Sequence, residues 1–252
     1  MTRQVFFLPS VITHENKEIV LPSEVSHQIL RVLRLSRGDV VELRDESGRS
    51  WKAEIVRVSK KLVQVALLEE VFYATESPLG VKLFLALARS DRIDLAVRQA
   101  TELGVKEIIL FPSARSSYRL EQPKIQDRIL RWDKIAQEAV CQCRRMEVPR
   151  IFYKKDLEEV MTFVEGESED ILKIVASEMN GSYGMEIFLS AKVKPDTVAI
   201  AVGPEGGWTE EEMAIFESRK WIPVSLGPRI LRYETAVVVM LSLCQFLWGD
   251  MK

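Results

Sequence analysis

The sequence lacks the features that mark membrane and secreted proteins. No apolar run among its 252 residues reaches the roughly 20 residues that a membrane-spanning helix needs. The N-terminus has no basic segment followed by an apolar one, which is the pattern of a secretory signal. We therefore expect a cytoplasmic protein that does not enter a membrane.

Cysteine and histidine, which often bind transition metals, are scarce. The three cysteines, Cys141, Cys143 and Cys244, are odd in number and lack the spacing of zinc ligands. We therefore expect buried thiols, with neither a disulfide framework nor a metal site. Both histidines, His14 and His27, lie in the N-terminal part. A reaction in the rest of the chain would lack the usual general base unless that part reaches over.

The charges are unevenly distributed along the chain. Hydrophobic residues make up 47% and charged residues 29%, which fits one large or two small globular domains. The net charge of −2 divides into +1 for residues 1–72, +4 for 73–152 and −7 for 153–252. Because Lys and Arg supply sequence-independent affinity for nucleic acid, any phosphate-binding surface is expected in the first two segments.

A short segment in the C-terminal third, Gly-Pro-Glu-Gly-Gly at residues 203–207, is the most informative part of the sequence. We call it the glycine loop. It follows residues 197–201, whose apolar and β-branched character predicts a buried strand. Thr209 and Glu212 have the spacing of a capping box and predict a helix directly afterwards. Because glycine has no Cβ, such a loop lets backbone N–H groups approach a ligand closely.

Two further strand ends are expected near the glycine loop. Residues 221–226 predict a strand that Gly227 and Pro228 stop, and residues 171–176 predict one that ends at Ser177 and Glu178. Ligands bind outside the carboxyl ends of strands in an open α/β sheet, so these ends predict one site. Ordinary turns between strands and helices are the alternative, and Glu178 is either an acceptor for ligand hydroxyls or a surface carboxylate.

Two common nucleotide-binding motifs do not fit the glycine loop. A nucleotide hydrolase needs Lys-Ser or Lys-Thr after its last glycine, but Trp208 and Thr209 follow here. A dinucleotide fingerprint needs Gly-x-Gly-x-x-Gly, and the loop lacks that spacing. Neither a triphosphate nor a dinucleotide is therefore the expected ligand.

The N-terminal part has the pattern of a small β-rich domain. Strands predicted at residues 40–44 and 51–58 flank turn residues and form a hairpin, and residues 62–68 supply another strand. Before them, residues 27–35 predict a helix with an apolar and a cationic face, on which Arg31 and Arg34 lie side by side. A small barrel of this kind binds single-stranded RNA or serves as a plain protein module.

From residue 81 onward, predicted strands and helices alternate. This order predicts a mainly parallel α/β sheet, separated from the N-terminal part by Ser77, Pro78 and Gly80. Arg89 and Arg115 lie at or near strand ends in the segment of charge +4. The polar loop around Arg115 has the composition of an RNA-binding patch, and a solvated loop is the alternative.

The predicted C-terminal helix, residues 235–248, is apolar on nearly every side. A helix of this kind must be covered all round, which one sheet cannot do. We therefore expect a second copy of the chain to cover it.

The glycine loop followed by Leu-Gly-Pro-Arg-Ile-Leu-Arg-Tyr-Glu-Thr-Ala at 226–236 resembles the RsmE family. These are the 16S ribosomal RNA uridine-N3 methyltransferases of the SPOUT superfamily. The resemblance implies a PUA-like RNA-binding β-barrel domain at residues 1–72 and a trefoil-knotted α/β methyltransferase domain at 73–252. It also implies S-adenosylmethionine as cofactor, 16S rRNA or the small ribosomal subunit as partner, and a homodimer joined near the knot.

With that resemblance, candidate residues can be assigned to each role. Cofactor binding is expected of residues at the three strand ends: Ala176, Ser177, Glu178, Gly203, Pro204, Glu205, Gly206, Gly207, Leu226, Gly227, Ile230 and Leu231. RNA binding is expected of basic residues in the first two segments: Arg3, His27, Arg31, Arg34, Arg89 and Arg115. Arg229 and Glu205 are the provisional catalytic residues, as a cation for the pyrimidine anion and a carboxylate in a defining loop.

Two alternatives to this function stay open. One keeps the fold and cofactor but places the methyl group at another rRNA or tRNA site. The other is a ribosome assembly module that binds RNA without catalysis. The intact glycine loop weighs against the module, since a protein that binds no cofactor has no need of it.

Overall fold

A computed structural model describes residues 5–13, 17–59, 61–166, 171–179, 182–188 and 194–251. The chain divides into two compact units. The first contains Met1–Glu76 together with Val140–Glu147, and the second contains Ser77–Ala139 and Val148–Lys252. The inclusion of residues 140–147 in the first unit is not predicted by the sequence.

The first unit is built on a five-stranded sheet in the order β1-β3-β4-β5-β2. Its strands are β1 (Val5–Leu8), β2 (Glu18–Val20), β3 (Val40–Asp45), β4 (Ser50–Val58) and β5 (Val63–Val71). The predicted hairpin is confirmed, because β3 and β4 pair antiparallel across the turn at residues 46–49. Alternate apolar side chains of these strands form the buried core of the unit, as the period-2 pattern requires.

The predicted helix over residues 27–35 is wrong in its geometry. An α-helix, α1 (Ser23–His27), continues as a π-helix over Gln28–Val32, in which the N–H of Leu33 donates to the carbonyl of Gln28. Arg34 lies beyond it in the left-handed region, with φ of 56°. Arg31 and Arg34 are therefore not neighbours on one helical face, because the wider π turn and the chain reversal break the three-residue spacing.

A buried arginine on β3 holds residues 140–147 in the first unit. Arg44 is fully buried, and its Nη1 donates to the carbonyl of Val140 at 3.1 Å. Burial lowers the pKa of Arg44. The carboxylate of Glu76 accepts hydrogen bonds from Arg145 and from the backbone N–H of Met146 at 2.7 Å. The segment is thus bound by buried charges as well as by packing.

The second unit contains a seven-stranded sheet whose strand pairs are all parallel, which confirms the predicted mainly parallel sheet. Its strand order is β10-β12-β9-β11-β6-β7-β8. The strands are β6 (Gly80–Ala86), β7 (Glu107–Phe111), β8 (Arg150–Tyr153), β9 (Ile171–Ala176), β10 (Tyr183–Gly184), β11 (Thr197–Val202) and β12 (Ile222–Ser225). Because all strands are parallel, their carboxyl ends lie along one edge of the sheet.

Helices cover both faces of this sheet. They are α2 (Ser90–Glu102), α3 (Gln122–Cys143), α4 (Leu157–Glu165), α5 (Glu210–Ser218) and α6 (Tyr233–Trp248). Residues of α2, α3 and α6 contribute to the core on one face, and residues of α4 and α5 contribute to the core on the other. The buried strands are apolar on both sides, which explains their continuous apolar runs.

Helices α5 and α2 begin in different ways. The capping box of Thr209 and Glu212 is confirmed at the start of α5. In α2, Ser90 and Asp91 are already helical, and Arg89 occupies the cap position without a side-chain hydrogen bond to the helix start. The hydroxyl of Ser90 instead accepts a hydrogen bond from Arg128.

Candidate functional site

The carboxyl ends of three adjacent strands, β12, β9 and β11, surround a cavity of about 240 Å³. Residues from the loops after each strand line it, together with Arg115 from the loop after β7. The lining residues are Arg115, Ala176, Ser177, Glu178, Met179, Val202, Gly203, Pro204, Glu205, Gly207, Trp208, Glu210, Ser225, Leu226, Gly227, Arg229, Ile230, Leu231, Tyr233 and Ala236. The cavity therefore lies where ligands bind in open α/β sheets.

The structure brings eleven of the twelve expected cofactor residues to this cavity. Gly206 is the exception, because it faces the side chain of Arg115 instead of the cavity. Arg115, expected to bind RNA, also lines the cavity, as does Arg229. Sequence reasoning did not assign Met179, Ser225 and Tyr233 to the site. Met179 and Ser225 lie at strand ends already singled out, which is the signal that could have found them.

Trp208 connects the glycine loop to the neighbouring strand. Its indole Nε1 donates to the carbonyl of Ala176 at 2.9 Å. The ring stacks on Phe111 at 6.2 Å between centroids and makes an edge contact with Phe216 at 4.9 Å. One buried side chain therefore fixes the ends of β9 and β11 relative to each other.

Two glycines of the glycine loop are required by their surroundings. A Cβ on Gly203 would lie 3.0 Å from the indole of Trp208, closer than ordinary packing allows. Gly207 has φ of 68°, and a Cβ there would lie 2.9 Å from a carboxylate oxygen of Glu178. The loop is thus a cradle in which any side chain would displace Trp208 or Glu178.

A second loop, residues 113–117, packs against the glycine loop, and we call it the arginine loop. Nη1 of Arg115 donates to the carbonyls of Gly206 and Trp208, at 3.2 Å each. The hydroxyl of Ser117 donates to the carboxylate of Glu205 at 3.4 Å. The cation and the carboxylate at this side of the cavity are therefore held by contacts between the two loops.

A buried carboxylate from α5 also joins these loops. Glu212 is only 7% exposed, and its Oε1 accepts a hydrogen bond from the backbone N–H of Ala114 at 2.8 Å. Its Oε2 accepts one from the backbone N–H of Thr209 at 3.0 Å. The capping-box spacing predicts only the bond to Thr209, because the bond to Ala114 joins residues 98 positions apart.

The start of α6 closes one side of the cavity. Tyr233 is buried, its hydroxyl donates to the carbonyl of Ala86 at 3.1 Å, and burial raises its pKa far above the ordinary value. The phenol therefore keeps its proton and is unsuited to act as a base. Glu234, on the first turn of α6, pairs with Arg92 of α2.

The rim of the cavity is open to solvent. The side chain of Ile230 is 85% exposed, and Arg229 beside it is also exposed. Gly227 has φ of 101°, a left-handed conformation that turns the chain after β12. An apolar side chain this exposed at the mouth of a cavity suits a surface that a ligand covers.

The other residues expected to bind RNA that fall within the described ranges do not line the cavity. Arg89 is 71% exposed and lies 3.6 Å from Asp91. His27 and Arg31 are exposed in the first unit, as is the left-handed Arg34. Arg3 and His14 lie outside the described residues.

Among the residues described, no group of three or more His, Cys, Asp and Glu side chains is arranged to hold a metal ion. None of the helices within the described ranges combines the length and apolar character needed to cross a membrane.

Both parts of the chain match models of known protein families. Residues 75–245 match the RNA methyltransferase domain. Residues 21–68 match the RNA methyltransferase PUA domain. The first match covers more than half of the chain and contains every lining residue of the cavity.

Known proteins are also similar to this chain over most or all of its length. The ribosomal RNA small subunit methyltransferase E of Bacillus subtilis is 31% identical over 223 residues, which cover 88% of this chain and 87% of that protein. A putative methyltransferase of Legionella pneumophila, solved with bound S-adenosylmethionine, has a TM-score of 0.89 at 27% identity, over 100% of both chains.

The methyltransferase E of Neisseria gonorrhoeae was solved bound to S-adenosylmethionine. It has a TM-score of 0.85 at 27% identity, over 99% of this chain and 100% of that one. The domain matches, the sequence identity and the shared fold agree. This chain belongs to the ribosomal RNA small subunit methyltransferase E family.

Proposed function

We propose that the chain methylates 16S ribosomal RNA at N3 of a uridine, with S-adenosylmethionine as the methyl donor. The observation that carries this proposal is that the loops after β9, β11 and β12 share one cavity, in a chain of this family. Structures of two relatives contain S-adenosylmethionine, which supports the same cofactor here.

The cavity residues fit this cofactor. Gly203 and Gly207 form a cradle that a Cβ would fill, and Leu226 and Leu231 supply apolar walls beside backbone polar groups. These are the surroundings that an adenosine group requires. Glu178 lies at the rim and can accept hydrogen bonds from ribose hydroxyls. When bound, S-adenosylmethionine would supply an electrophilic methyl group on sulfur.

The residues of this chain have to remove a proton and stabilise charge. Uracil N3 carries a hydrogen on its pairing edge, so the base must be unpaired before it can react. We assign Glu205 as the proton acceptor, because its carboxylate lines the cavity and lies against the arginine loop. Arg229, at the same cavity, stabilises the negative charge on the pyrimidine oxygens as the proton leaves.

The two parts of the chain have separate roles in this proposal. Residues 1–72 act as an RNA-binding domain through His27, Arg31 and Arg34, and residues 73–252 as the methyltransferase domain. Arg89 and Arg115 of the second part also contact RNA. They lie in residues 73–152, which carry a net charge of +4, and not in the acidic residues 153–252. Phosphate contacts of this kind position the RNA without reading its sequence.

We also propose that the chain works as a homodimer in the cytoplasm, where ribosomal subunits are assembled. Helix α6 supports the dimer, because one face is buried while Phe246 on the other is 58% exposed. A second copy would cover this apolar face.

Two measurements test the proposed function. Isothermal titration with S-adenosylhomocysteine, the product left after methyl transfer, should show binding at one site per chain. Incubation with S-adenosylmethionine carrying a radioactive methyl group should label 16S rRNA, added free or in small ribosomal subunits. The absence of both cofactor binding and labelling would favour an RNA-binding assembly module instead.

A further inference from the structure

The Glu212 carboxylate makes two partly buried hydrogen bonds to separate backbone segments. One goes to the N–H of Ala114 in the arginine loop and the other to the N–H of Thr209, just after the glycine loop and Trp208. A buried carboxylate that accepts two backbone N–H groups makes stronger bonds than neutral acceptors do. Arg115 and Ser117 bind the glycine loop through their side chains, whereas Glu212 holds the backbone of the arginine loop.

The loops that Glu212 joins carry different parts of the proposed site. The glycine loop forms the cradle of the cavity, whereas the arginine loop carries Arg115. Arg115 is exposed and uses Nη1 to bind the carbonyls of Gly206 and Trp208. Within the described part of the chain, the N–H groups of its Nη2 and Nε donate no hydrogen bond and can face an RNA phosphate or base.

We propose that Glu212 is a positioning residue that couples cofactor binding to RNA binding. The inference rests on the proposed function and adds a linkage within the same site. A ligand that orders the glycine loop also orders the arginine loop through Glu212, so Arg115 is held for RNA before RNA arrives. By thermodynamic linkage, RNA raises the affinity for the cofactor by the same factor.

The test compares RNA affinity with and without saturating S-adenosylhomocysteine, in the full-length protein. The RNA is 16S rRNA, added free and as small ribosomal subunits. In the unaltered protein, we expect the product to raise RNA affinity by at least about fivefold, within the usual range of coupling between sites. Affinity for S-adenosylhomocysteine should rise by the same factor when RNA is present.

The variant Glu212→Gln preserves the size of the side chain but breaks the bridge. An amide has one acceptor oxygen, so one of the two N–H groups must face the NH₂ group and lose its partner. We expect the coupling factor to fall to about one, within the measurement error of a linkage analysis. Each ligand alone should still bind.

The variant Thr209→Ala is the matched control for a purely structural role. It removes the hydroxyl that accepts from the N–H of Glu212 but leaves both acceptor bonds of the carboxylate in place. Loss of this cap should lower the Tm and leave the coupling factor unchanged. Both variants should therefore be destabilised, and only Glu212→Gln should lose the linkage.

Three outcomes would overturn the proposal. They are the absence of coupling in the unaltered protein, full coupling in Glu212→Gln, and equal loss of coupling in Thr209→Ala. If the unaltered protein methylates 16S rRNA in any of these cases, the linkage fails while the proposed function stands. If it binds neither RNA nor S-adenosylhomocysteine, the proposed function itself fails.

Discussion

The indole of Trp208 donates a 2.9 Å hydrogen bond to the carbonyl of Ala176 and thereby ties the loop after β11 to the end of β9. Ala176 and Trp208 both line the candidate cofactor cavity. The bond links two walls of that cavity through a side chain that is almost wholly buried. Its removal should therefore affect ligand binding more than overall folding.

We expect Trp208→Phe to weaken binding of S-adenosylhomocysteine by about tenfold. The carbonyl of Ala176 loses its partner, at a cost of about 1 kcal/mol, and the smaller ring packs less fully against Phe111 and Phe216. Titration calorimetry measures the change. The control is Trp221→Phe, in the same core, because the buried Nε1 of Trp221 has no hydrogen-bond partner to lose among the described residues. Equal weakening in both variants would refute a specific role of the Ala176 bond.

Gly203→Ala should also impair the site. The added Cβ would lie 3.0 Å from the indole of Trp208, so the ring must shift or the loop must open. Overpacking of this kind costs about 1–3 kcal/mol, and we expect at least about tenfold weaker binding of S-adenosylhomocysteine. Gly166→Ala is the control, because its Cβ would meet only ordinary contacts at 3.6 Å. Unchanged affinity in Gly203→Ala would show that the cradle tolerates a side chain.

The stability of the first unit should depend on pH through Glu76. Burial alone would raise the pKa of Glu76, but bonds from Arg145 and the N–H groups of Met146 and Glu147 lower it below the ordinary value. A carboxyl group with a lowered folded pKa contributes its full stability above the unfolded pKa, about 4.3 for Glu. That contribution is lost as pH falls through the folded pKa.

We therefore expect Glu76→Gln to lower the Tm by about 5 °C at pH 7, from a loss of about 2 kcal/mol of charge-assisted bonding. The difference from the unaltered protein should shrink as the pH falls from about 5 to about 3. Thermal melts across this range measure it, with Glu46→Gln at an exposed turn as control. A constant difference at all pH values would argue against the ionised carboxylate.

The outer face of α6 should decide the oligomeric state. Phe246→Asp places a charge on the apolar face that a second copy would cover, so sedimentation velocity should show one chain where the unaltered protein shows two. Leu130→Asp on α3 is the control, because Leu130 is equally exposed, at 58%. A monomeric unaltered protein, or a dimer that survives Phe246→Asp, would contradict the proposed interface.

Much of the fold could be predicted because local pattern and final packing agree. The largely apolar sequences of β6, β9 and β11 match strands that are covered on both faces, and the capping box of Thr209 and Glu212 starts α5. The three strand ends share one cavity because parallel strands place their carboxyl ends together. The family was predicted from the glycine loop and residues 226–236, and the comparisons confirm it.

The remaining features depend on contacts between distant residues. Arg44 takes a carbonyl acceptor 96 positions away, and Arg92 takes Glu234 at 142 positions, so no local pattern could indicate either pair. The π-helix before Arg34 follows from hydrogen bonds that apolar spacing does not distinguish from those of an α-helix. The trefoil knot, the site roles and the homodimer stay predictions.

The central claim is methylation of uridine N3 in 16S rRNA, and nucleoside mapping tests it most directly. Small ribosomal subunits from a strain lacking this protein should be incubated with the purified chain and S-adenosylmethionine, and the 16S rRNA then digested and examined by mass spectrometry. We predict 3-methyluridine at a single position, absent without the protein and greatly reduced with Gly203→Ala. A methyl group on another base or another RNA, or no methyl group at all, would contradict the account.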